Sequence, residues 1–529
     1  MSPIDLAIFM SRVESICAEM GAILQRAAFS PNIKDRLDFS CALFDADGEL
    51  FAQAAHIPVH LGSMAYAMAN IVDGVDWKPG DMLVVNDPFL GGTHLPDVTI
   101  VAPLFLEYDG QNEASQQEEL VCFVVNRAHH ANIGADAPGS MPLSSTIEQE
   151  GLVIPPTVFV RSGIVDAEVL KTITGLPGAD TSGDFAAQIS ANKAGVRRLT
   201  ALISSSGLTQ FYQGISAINE YGEKVAVNVL RTIPPGRYQF SDYMDDDGYG
   251  HEDIVISVAL TVNDEGIKVD FSGTSPQVEG NINCPISVAA AAVFYAFRCL
   301  LPQSAPNCAG TFRCISLQAP AGCLVNATRP AATAAGNVET SMRIVDVVLG
   351  ALYEAVPDQI PAASQGTMNN VAMGSRASNT PWDYYETIAG GMGASGRATG
   401  LSAVQCHMTN TLNTPIESLE SHFPLRILNY TMRRDSSGDG INCGGEGLVR
   451  EFLFLEPTEV TLLTERRRHA PWGLSGGTAG APGKNSLDGV PVAGKCHFFA
   501  KAGQVLRIET PGGGGYGKAG AEEGEQHSP

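Results

Sequence analysis

The chain has 529 residues, of which 44% are hydrophobic and 17% are charged. This length exceeds what one hydrophobic core supports, so we expect two or three packed domains, and the composition excludes an intrinsically disordered protein. The 33 Lys and Arg residues against 57 Asp and Glu residues give a formal net charge of -24, which excludes nucleic acid and anionic membrane surfaces as partners over most of the exterior.

The first predicted element is a helix over residues 2–28, because apolar residues recur there at three- and four-residue steps and Ser2, Pro3 and Asp5 supply a start signal. Two apolar runs follow around an Asp-Ala-Asp-Gly turn, and they predict a β-hairpin that starts at Asp38. We expect the helix to pack one face against the first domain.

Two further apolar runs, Val98–Tyr108 and Leu120–Ala128, predict a second antiparallel pair of strands joined by a polar stretch. In an antiparallel pair, the start of one strand lies beside the end of the other. Asp97 and His129 therefore become neighbours despite their separation in sequence.

The pattern changes after Pro234–Gly236, where strand signals repeat and precede an Ala-rich segment over 287–301 that is predicted to be helical. The repeated strand signals cover Arg237–Tyr243, Asp253–Val262 and Ile267–Phe271. From about residue 335, a predicted helix over Val338–Tyr353 alternates with Gly-rich loops, and strands continue to Ile508.

These elements predict an α+β fold: a multidomain protein with mixed sheets, packed helices and Gly-rich loops. We divide it into an N-terminal metal-binding domain (residues 1–233), a strand-rich central domain (234–330), a C-terminal α+β domain (331–517) and a flexible polar tail (518–529).

The eleven cysteines are scattered without a CxxC pair, which is typical of reduced thiols in a cytosolic protein and not of a disulfide framework or a Cys-ligated zinc site. The N-terminal segment lacks the basic region of a signal peptide. The most apolar run elsewhere, Val288 to Phe297, has about half the length that a bilayer span requires. We expect a soluble, cytoplasmic protein with no membrane partner.

The densest group of polar residues in an apolar context lies in NDPFLGGTHLPDVTIVAPLF, residues 86–105. His94 and Asp97 are three apart in it, although an HxxD pair alone is weak evidence for a site. The strand that follows Asp97 returns to end at His129 and His130, so two histidines and a carboxylate converge on one end of a sheet. The alternative is that His129 and His130 only satisfy buried backbone carbonyls.

Imidazole and carboxylate ligands together suit a divalent transition metal such as zinc, manganese or iron, and a site with an open position activates water by lowering its pKa. Asp38 is a candidate fourth ligand, since a second carboxylate balances the charge of the ion. His56 and His60 precede the site and are candidates for supporting the ligands by hydrogen bonds, although a purely structural role fits them as well.

Two other patterns carry less weight. The loop from Gly512 to Lys518 resembles a phosphate-binding P-loop, but Ala519 stands where Ser or Thr would bind magnesium, so we expect a structural role. The sequence has no GxSxG elbow and no local signature of a nucleophilic cysteine, so no motif supports a covalent acyl-enzyme mechanism.

Separate, ordered motifs between residues 36 and 517 resemble the hydantoinase B/oxoprolinase family. They are RLDFSCALF, HIPVHLGSM, NDPFLGGTHLPD, NRAHHANIG, EQEGLVIPP, DFSGTSPQVEGNIN, MTNTLNTPIESLE and PGGGGYG. The family includes subunits of ATP-dependent N-methylhydantoinase, 5-oxoprolinase, caprolactamase, and acetone and acetophenone carboxylases.

The resemblance implies that a separate hydantoinase A-type subunit with an actin-like ATPase fold uses ATP to phosphorylate the carbonyl oxygen of a cyclic amide. The present chain would then complete the hydrolysis at one divalent metal ion, in an assembly with two copies of each subunit. It also implies that the metal ligands are Asp38, His94, Asp97 and His129. Asp87 or His130 would act as a general base or orient a ligand.

Three functions remain open from the sequence: a subunit of an ATP-dependent hydrolase of hydantoin, 5-oxoproline or another lactam, a subunit of an ATP-dependent ketone carboxylase, and a non-catalytic partner subunit. Asn132, Thr399 and Asn442 depart from the family pattern, in which Asp, Asp and Arg are common at these places. Because such changes alter the charge around a site, they leave the identity of the substrate open.

Overall fold

The computed structural model describes residues 1–54, 56–108, 117–178, 180–378 and 380–519. Residues 520–529 of the predicted tail lie outside the described residues. The described helices are α1 (Pro3–Ala27), α2 (Pro31–Lys34), α3 (His60–Ile71), α4 (Ala167–Thr174), α5 (Ser182–Ser206), α6 (Leu208–Leu230), α7 (Ile286–Arg298), α8 (Ser341–Ala355) and α9 (Ile416–His422). Together with four sheets they form an α+β fold, as predicted.

The strands fall into groups along the chain. The first seven are β1 (Phe39–Asp45), β2 (Leu50–Gln53), β3 (Met82–Val85), β4 (Asp97–Tyr108), β5 (Gln117–His129), β6 (Thr157–Arg161) and β7 (Ile164–Val165). The next four are β8 (Gly236–Asp246), β9 (Glu252–Asn263), β10 (Gly266–Asp270) and β11 (Ile315–Gln318). The remaining strands are β12 (Asn370–Ser375), β13 (Trp382–Glu386), β14 (Leu425–Arg433), β15 (Gly447–Phe454), β16 (Thr458–Leu463), β17 (Lys484–Leu487), β18 (Val490–Val492), β19 (Lys495–Ala500) and β20 (Val505–Glu509).

A seven-stranded antiparallel sheet of order β2-β1-β5-β4-β3-β6-β7 carries the N-terminal third of the chain. Both of its faces are buried, because α1 and α5 pack on one face and α3 on the other. Along β5, Val124 therefore contributes to the core beneath α1 and α5, and Val125 to the core beneath α3. The alternating side chains of a strand are apolar on both sides here, which explains why β4 and β5 appear in the sequence as continuous apolar runs.

Several predicted elements of this region are confirmed. The helix over residues 2–28 is α1, and the Ser2 hydroxyl accepts a hydrogen bond from the backbone N–H of Asp5 as a helix cap. The predicted hairpin is β1–β2, and the second predicted pair is β4–β5, with Asp97 directly opposite His129.

The long helices α5 and α6 were not predicted. On α5, the polar residues Gln188 and Asn192 are fully buried and interrupt the apolar stripe that would reveal a core-facing helix. Gln188 donates to the carbonyl of Val98 and to the side chain of Asn126, and Asn192 donates to the carbonyl of Ile100. These bonds attach the helix to β4 and β5, so the polar positions are part of the packing.

The central sheet has the order β11-β10-β9-β8, and α8 packs on it while α7 lies between α8 and α3. The three predicted strands are β8, β9 and β10, and the two predicted helices are α7 and α8, which confirms these expectations. The largest hydrophobic core is built from residues of many elements, the first of which in sequence is Ile57 and the last Leu463. The predicted domain boundary at residue 233 falls between α6 and β8, and the division into domains stays a prediction.

Two smaller sheets, β13-β12-β16-β19 and β14-β15-β20-β17-β18, form the C-terminal part, with Gly-rich loops packed beside them. In the PGGGGYG loop, a Cβ atom added to Gly512 would lie 1.8 Å from the carbonyl oxygen of Ser436. The backbone N–H groups that a phosphate would need already have partners: those of Gly513, Gly514 and Gly515 donate to the carbonyls of Gly445, Ala363 and Thr478. This loop is therefore a packing element, as expected.

Across the described part of the chain, none of the helices combines the length and the hydropathy that a membrane crossing needs. All eleven cysteines are free, and seven of them are buried: Cys17, Cys41, Cys122, Cys284, Cys308, Cys323 and Cys406.

Candidate metal centre

The loop before β4 gives His94 and Asp97 their positions. Gly91 has a φ of +98° at the turn, a conformation that favours glycine, and the N–H of Gly92 donates to the carbonyl of Asp87. After this turn, the N–H of Asp97 donates to the carbonyl of His94, which closes a tight turn at the first residue of β4. Both side chains consequently point into the same space.

The antiparallel register brings His129 to them from β5. Asp97 and His129 are partners in the β4–β5 ladder, and the N–H of His129 donates to the carbonyl of Asp38, just before β1. Three stretches of chain that are distant in sequence therefore meet at one end of the seven-stranded sheet, and His94, Asp97 and His129 are almost completely buried there.

Three polar atoms in this cluster form a nearly equilateral triangle. Nε2 of His94 lies 3.3 Å from Oδ1 of Asp97 and 3.2 Å from Nδ1 of His129, and that Nδ1 lies 3.2 Å from the same Oδ1. Donors bound to one zinc-sized ion, each at about 2.1 Å, lie about 3 to 3.4 Å from one another. The spacing of the three atoms thus fits a single divalent ion. Among the described residues, His94, Asp97 and His129 form a group whose ligand atoms all lie within 4.8 Å of one another.

The hydrogen bonds around the triangle fit the same interpretation. Nδ1 of His94 lies 3.2 Å from the carbonyl oxygen of Ala334 and therefore carries a hydrogen, so in the neutral ring Nε2 has the lone pair that binds a metal. Among the described residues, Oδ1 of Asp97 and Nε2 of His129 have no hydrogen-bond partner although both are buried. Buried polar atoms without partners are rare in proteins, and an ion bound at the triangle is a direct explanation for the unpaired Oδ1 of Asp97.

The second oxygen of Asp97 is held by several protein groups. Oδ2 accepts a hydrogen bond from the Thr93 hydroxyl at 2.5 Å, lies 3.2 Å from Nε2 of His60, and faces Nδ2 of Asn337 at 3.4 Å. Burial opposes ionisation of Asp97, but the neighbouring His94 and His60 rings hold its pKa well below the usual value. Asp97 is therefore a fixed carboxylate, and Oδ1 is the oxygen left for a ligand.

His56 and His60 differ in their relation to the site. His60 is bonded to Asp97 on one side and lies 2.9 Å from the Ser40 hydroxyl on the other, so it supports a candidate ligand. His56 instead accepts a hydrogen bond from the N–H of Cys41. Burial lowers the pKa of His56 to about 4, so its ring is neutral.

Asp38 lines the same cavity as the three clustered residues. Its Oδ2 lies 3.7 Å from the guanidinium of Arg36. Burial lowers the pKa of His129, and the negative charge of Asp38 opposes part of that lowering. The carboxylate lies outside the set of three ligand atoms within 4.8 Å of one another. Its role as a fourth ligand stays a prediction.

The structure does not bring the side chains of His130 and Asp87 to the triangle. The ring of His130 packs on Phe185 of α5, and its Nε2 lies 2.9 Å from Oε1 of Gln188. The carboxylate of Asp87 caps the short turn that follows it and forms an ion pair with Arg329. These contacts give both residues structural partners, and a role for either of them in catalysis stays a prediction.

Two further residues of the site were missed by the sequence analysis. Tyr385 of β13 stacks on the ring of His129, with centroids 4.8 Å apart, and fixes its plane. Asn337 lies in a π-helix, Gly336–Thr340, that precedes α8. Both come from the C-terminal half of the chain, and only the fold brings them to the end of β5.

The cavity at the cluster is narrow. The space open to the centre of a water molecule is about 20 Å³, which is enough for an ion or a water molecule. Apolar side chains, including Met368 and Met408, form much of the remaining wall. Access for a ring-sized molecule therefore requires side chains to move, and methionines are the most adaptable of those present.

Two of the residues that depart from the family pattern, Asn132 and Asn442, form hydrogen bonds that stabilise the loops around them. Asn132 donates to the carbonyl of Pro177 and accepts from the N–H of Gly134, and Asn442 donates to the carbonyl of Ser395. Thr399 is exposed. None of these three residues lines the cavity.

The fold and the site together define an α+β protein with a buried His–Asp–His cluster suited to one divalent ion. Residues 2–519 match the family model for hydantoinase B/oxoprolinase, and the chain belongs to this family. The predicted resemblance is thereby confirmed.

Several proteins are similar to this chain in sequence over nearly its whole length. The chain is 39% identical to an uncharacterized protein of Methanocaldococcus jannaschii, with 98% of this chain and 91% of the relative covered. It is also 39% identical to 5-oxoprolinase 1 of Arabidopsis thaliana, but it spans only 42% of that protein's length. The B-type subunit of a putative D-/L-hydantoinase from a Pseudomonas strain is 30% identical, with 98% of this chain and 90% of the relative covered.

Two solved structures share the architecture. The ATP-dependent caprolactamase of Pseudomonas jessenii is similar with a TM-score of 0.89 at 27% identity, and the match covers 98% of this chain and 91% of that one. An acetone carboxylase in its nucleotide-free form has a TM-score of 0.86 at 17% identity, over 98% of this chain and 76% of that one. The second similarity concerns the fold alone.

Proposed function

We propose that the chain is the metal-dependent subunit of an ATP-dependent hydrolase that opens a cyclic amide such as a hydantoin, 5-oxoproline or another lactam. The observation that carries this proposal is the triangle formed by His94 Nε2, Asp97 Oδ1 and His129 Nδ1, with sides of 3.2 to 3.3 Å. The names of the relatives, which are a 5-oxoprolinase, a putative hydantoinase and a caprolactamase, support the substrate class.

The proposed ligands are His94, Asp97 and His129, with Asp38 as a fourth. A divalent zinc, manganese or iron ion held there supplies a Lewis acid and lowers the pKa of water. Asp97 contributes a permanent negative charge, and the neutral histidines complete the donor set. Tyr385 restrains the ring of His129, and burial excludes bulk water from the cluster.

The proposed reaction needs a second protein. An amide is a poor electrophile, and phosphorylation of its oxygen converts that oxygen into a leaving group. We assign ATP binding and this phosphorylation to a hydantoinase A-type ATPase subunit, with two copies of each subunit in the assembly. Two observations support a separate partner: the name of the Pseudomonas relative makes it one subunit among others, and the chain spans 42% of the plant 5-oxoprolinase.

A ketone carboxylase subunit is the second candidate, supported by the similarity in fold to acetone carboxylase. Its reaction requires bicarbonate, whereas ring opening does not. A non-catalytic partner subunit would have no need for the buried donor atoms, so the intact cluster favours the two enzymatic candidates.

The test is to purify the chain together with a hydantoinase A-type ATPase subunit and to assay ATP-dependent ring opening of hydantoin, 5-oxoproline and ε-caprolactam. We expect turnover of at least one compound without bicarbonate, and its loss in the His94→Ala variant. The matched control is His422→Ala, because His422 is exposed and its Nδ1 lies 2.7 Å from the carbonyl oxygen of Ser418 in the same helix. Equal activity of metal-free His94→Ala and wild type would refute the mechanism.

A further inference from the structure

Asn337 presents an unused hydrogen-bond acceptor to the candidate site. Its side chain is 3% exposed and lines the same cavity as His94, Asp97 and His129. It is carried by the π-helix Gly336–Thr340, an irregular form of helix that recurs at functional sites.

The orientation of its carboxamide follows from its neighbour. Nδ2 lies 3.4 Å from Oδ2 of Asp97 and donates toward that carboxylate. The reversed orientation would place Oδ1 against a negatively charged oxygen, which is unfavourable. Oδ1 is therefore the free atom, and within the described chain it has no hydrogen-bond partner.

None of the described groups that line the cavity donates a hydrogen bond to this oxygen. Asp38 and Asp97 are acceptors, and His94 donates its Nδ1 hydrogen to Ala334, so its Nε2 carries a lone pair. A buried acceptor without a partner gains a hydrogen bond when a ligand brings a donor to it. A cyclic amide has such a donor, the N–H adjacent to its reacting carbonyl.

We propose that Asn337 is a substrate-binding residue that accepts, through Oδ1, a hydrogen bond from the ring N–H of the amide to be opened. The assignment rests on the proposed function and adds a specificity to it. The site selects amides with an N–H group, because an N-alkylated ring leaves Oδ1 buried and unpaired. Sites built to bind a polar hydrogen reject analogues that lack it far more strongly than apolar pockets reject a missing methyl group.

The test compares Asn337→Ala with wild type in the complex with the ATPase subunit. For whichever of hydantoin, 5-oxoproline and ε-caprolactam is turned over, kcat/KM is measured. The compound and its analogue methylated on the nitrogen of the amide that is opened are also compared as competitive inhibitors. In wild type we expect the N–H compound to bind at least about tenfold more tightly. In Asn337→Ala this preference should fall to within about threefold, while the metal content stays at the wild-type value.

Asn281→Ala is the matched control, because Asn281 is also fully buried, donates one hydrogen bond and has an unpaired Oδ1, but does not line the cavity. It should keep the preference for the N–H compound. An unchanged preference in Asn337→Ala overturns the assignment, and so does loss of the metal from that variant, which would show that Asn337 serves the metal site, either as a ligand or through its bond to Asp97. Wild type that neither binds nor opens any of the compounds refutes the proposed function together with this assignment.

Discussion

Oδ1 of Asp97 and Nδ1 of His129 lie 3.2 Å apart at directly opposed positions of the β4–β5 ladder. Asp97 is the first residue of β4 and His129 is the last residue of β5. Since α1, α3 and α5 bury both faces of the sheet, this pair lies at the end of a sheet that is packed on both sides. His94 lies three residues before Asp97, so the short loop before β4 brings it to this pair.

A first prediction concerns Glu150, which contacts His94 indirectly, through the backbone of Ala334. Oε1 of this fully buried residue accepts hydrogen bonds from the N–H groups of Thr333 and Ala334, each at 2.8 Å, and the carbonyl of Ala334 faces His94. Glu150→Ala should weaken metal binding about 10- to 100-fold, because the support of a ligand is lost. The measurement is competition with a chromophoric chelator.

Glu150→Gln is the control for this prediction, since its amide oxygen still accepts both backbone hydrogens. It should bind the metal about as tightly as wild type. Equal affinities for the Ala and Gln variants would show that Glu150 does not position His94.

Gly91 provides a second prediction, on the loop that carries His94. A Cβ atom at Gly91 would lie 2.3 Å from Cα of Ala67, and the residue has a φ of +98°. Gly91→Ala should therefore lower the free energy of unfolding by about 3 kcal/mol or more, because backbone of α3 must move as well as the loop.

The comparison is Gly163→Ala, at a residue that also has a positive φ of +84° but has nothing within 4 Å of the added atom. It should cost only about 1 kcal/mol, the strain of the backbone conformation. Urea unfolding of both variants measures the difference, and similar losses would mean that contact with α3 is unimportant.

Glu339 predicts a dependence of stability on pH. Burial raises its pKa to about 8, although hydrogen bonds, including one from the N–H of Met368, favour the charged form. Between the ordinary pKa near 4.5 and about 8, the unfolded chain ionises this group while the folded chain keeps its proton. The folded state binds more protons, so this group makes stability fall as pH rises through that window.

Glu339→Gln removes this contribution. The free energy of unfolding of the variant relative to wild type should increase by roughly 3 to 5 kcal/mol from about pH 4.5 to about pH 8. Denaturant unfolding of both proteins at several pH values tests this. A difference that is constant with pH would contradict a raised pKa for Glu339.

Local patterns in the sequence were sufficient for part of the site. The pairing of Asp97 with His129 follows from two adjacent strands, and the loop with His94 directly precedes one of them. Such contacts depend only on antiparallel geometry, so they can be inferred without knowledge of the whole fold.

The remaining parts depend on long-range packing. Tyr385 and Asn337 reach the cluster from the C-terminal half, and no periodicity near either residue indicates this contact. Helix α5 was missed because Gln188 and Asn192 occupy its buried face. His130 directly follows His129 in the sequence, yet its ring packs against Phe185 of α5, which only the position of that helix determines.

The most direct test of the metal centre is anomalous X-ray diffraction from crystals of the active protein, recorded at the absorption edge of the metal found by elemental analysis. We expect one anomalous peak per chain, within bonding distance of His94 Nε2, Asp97 Oδ1 and a ring nitrogen of His129. Active protein with no peak among these three side chains would contradict the account.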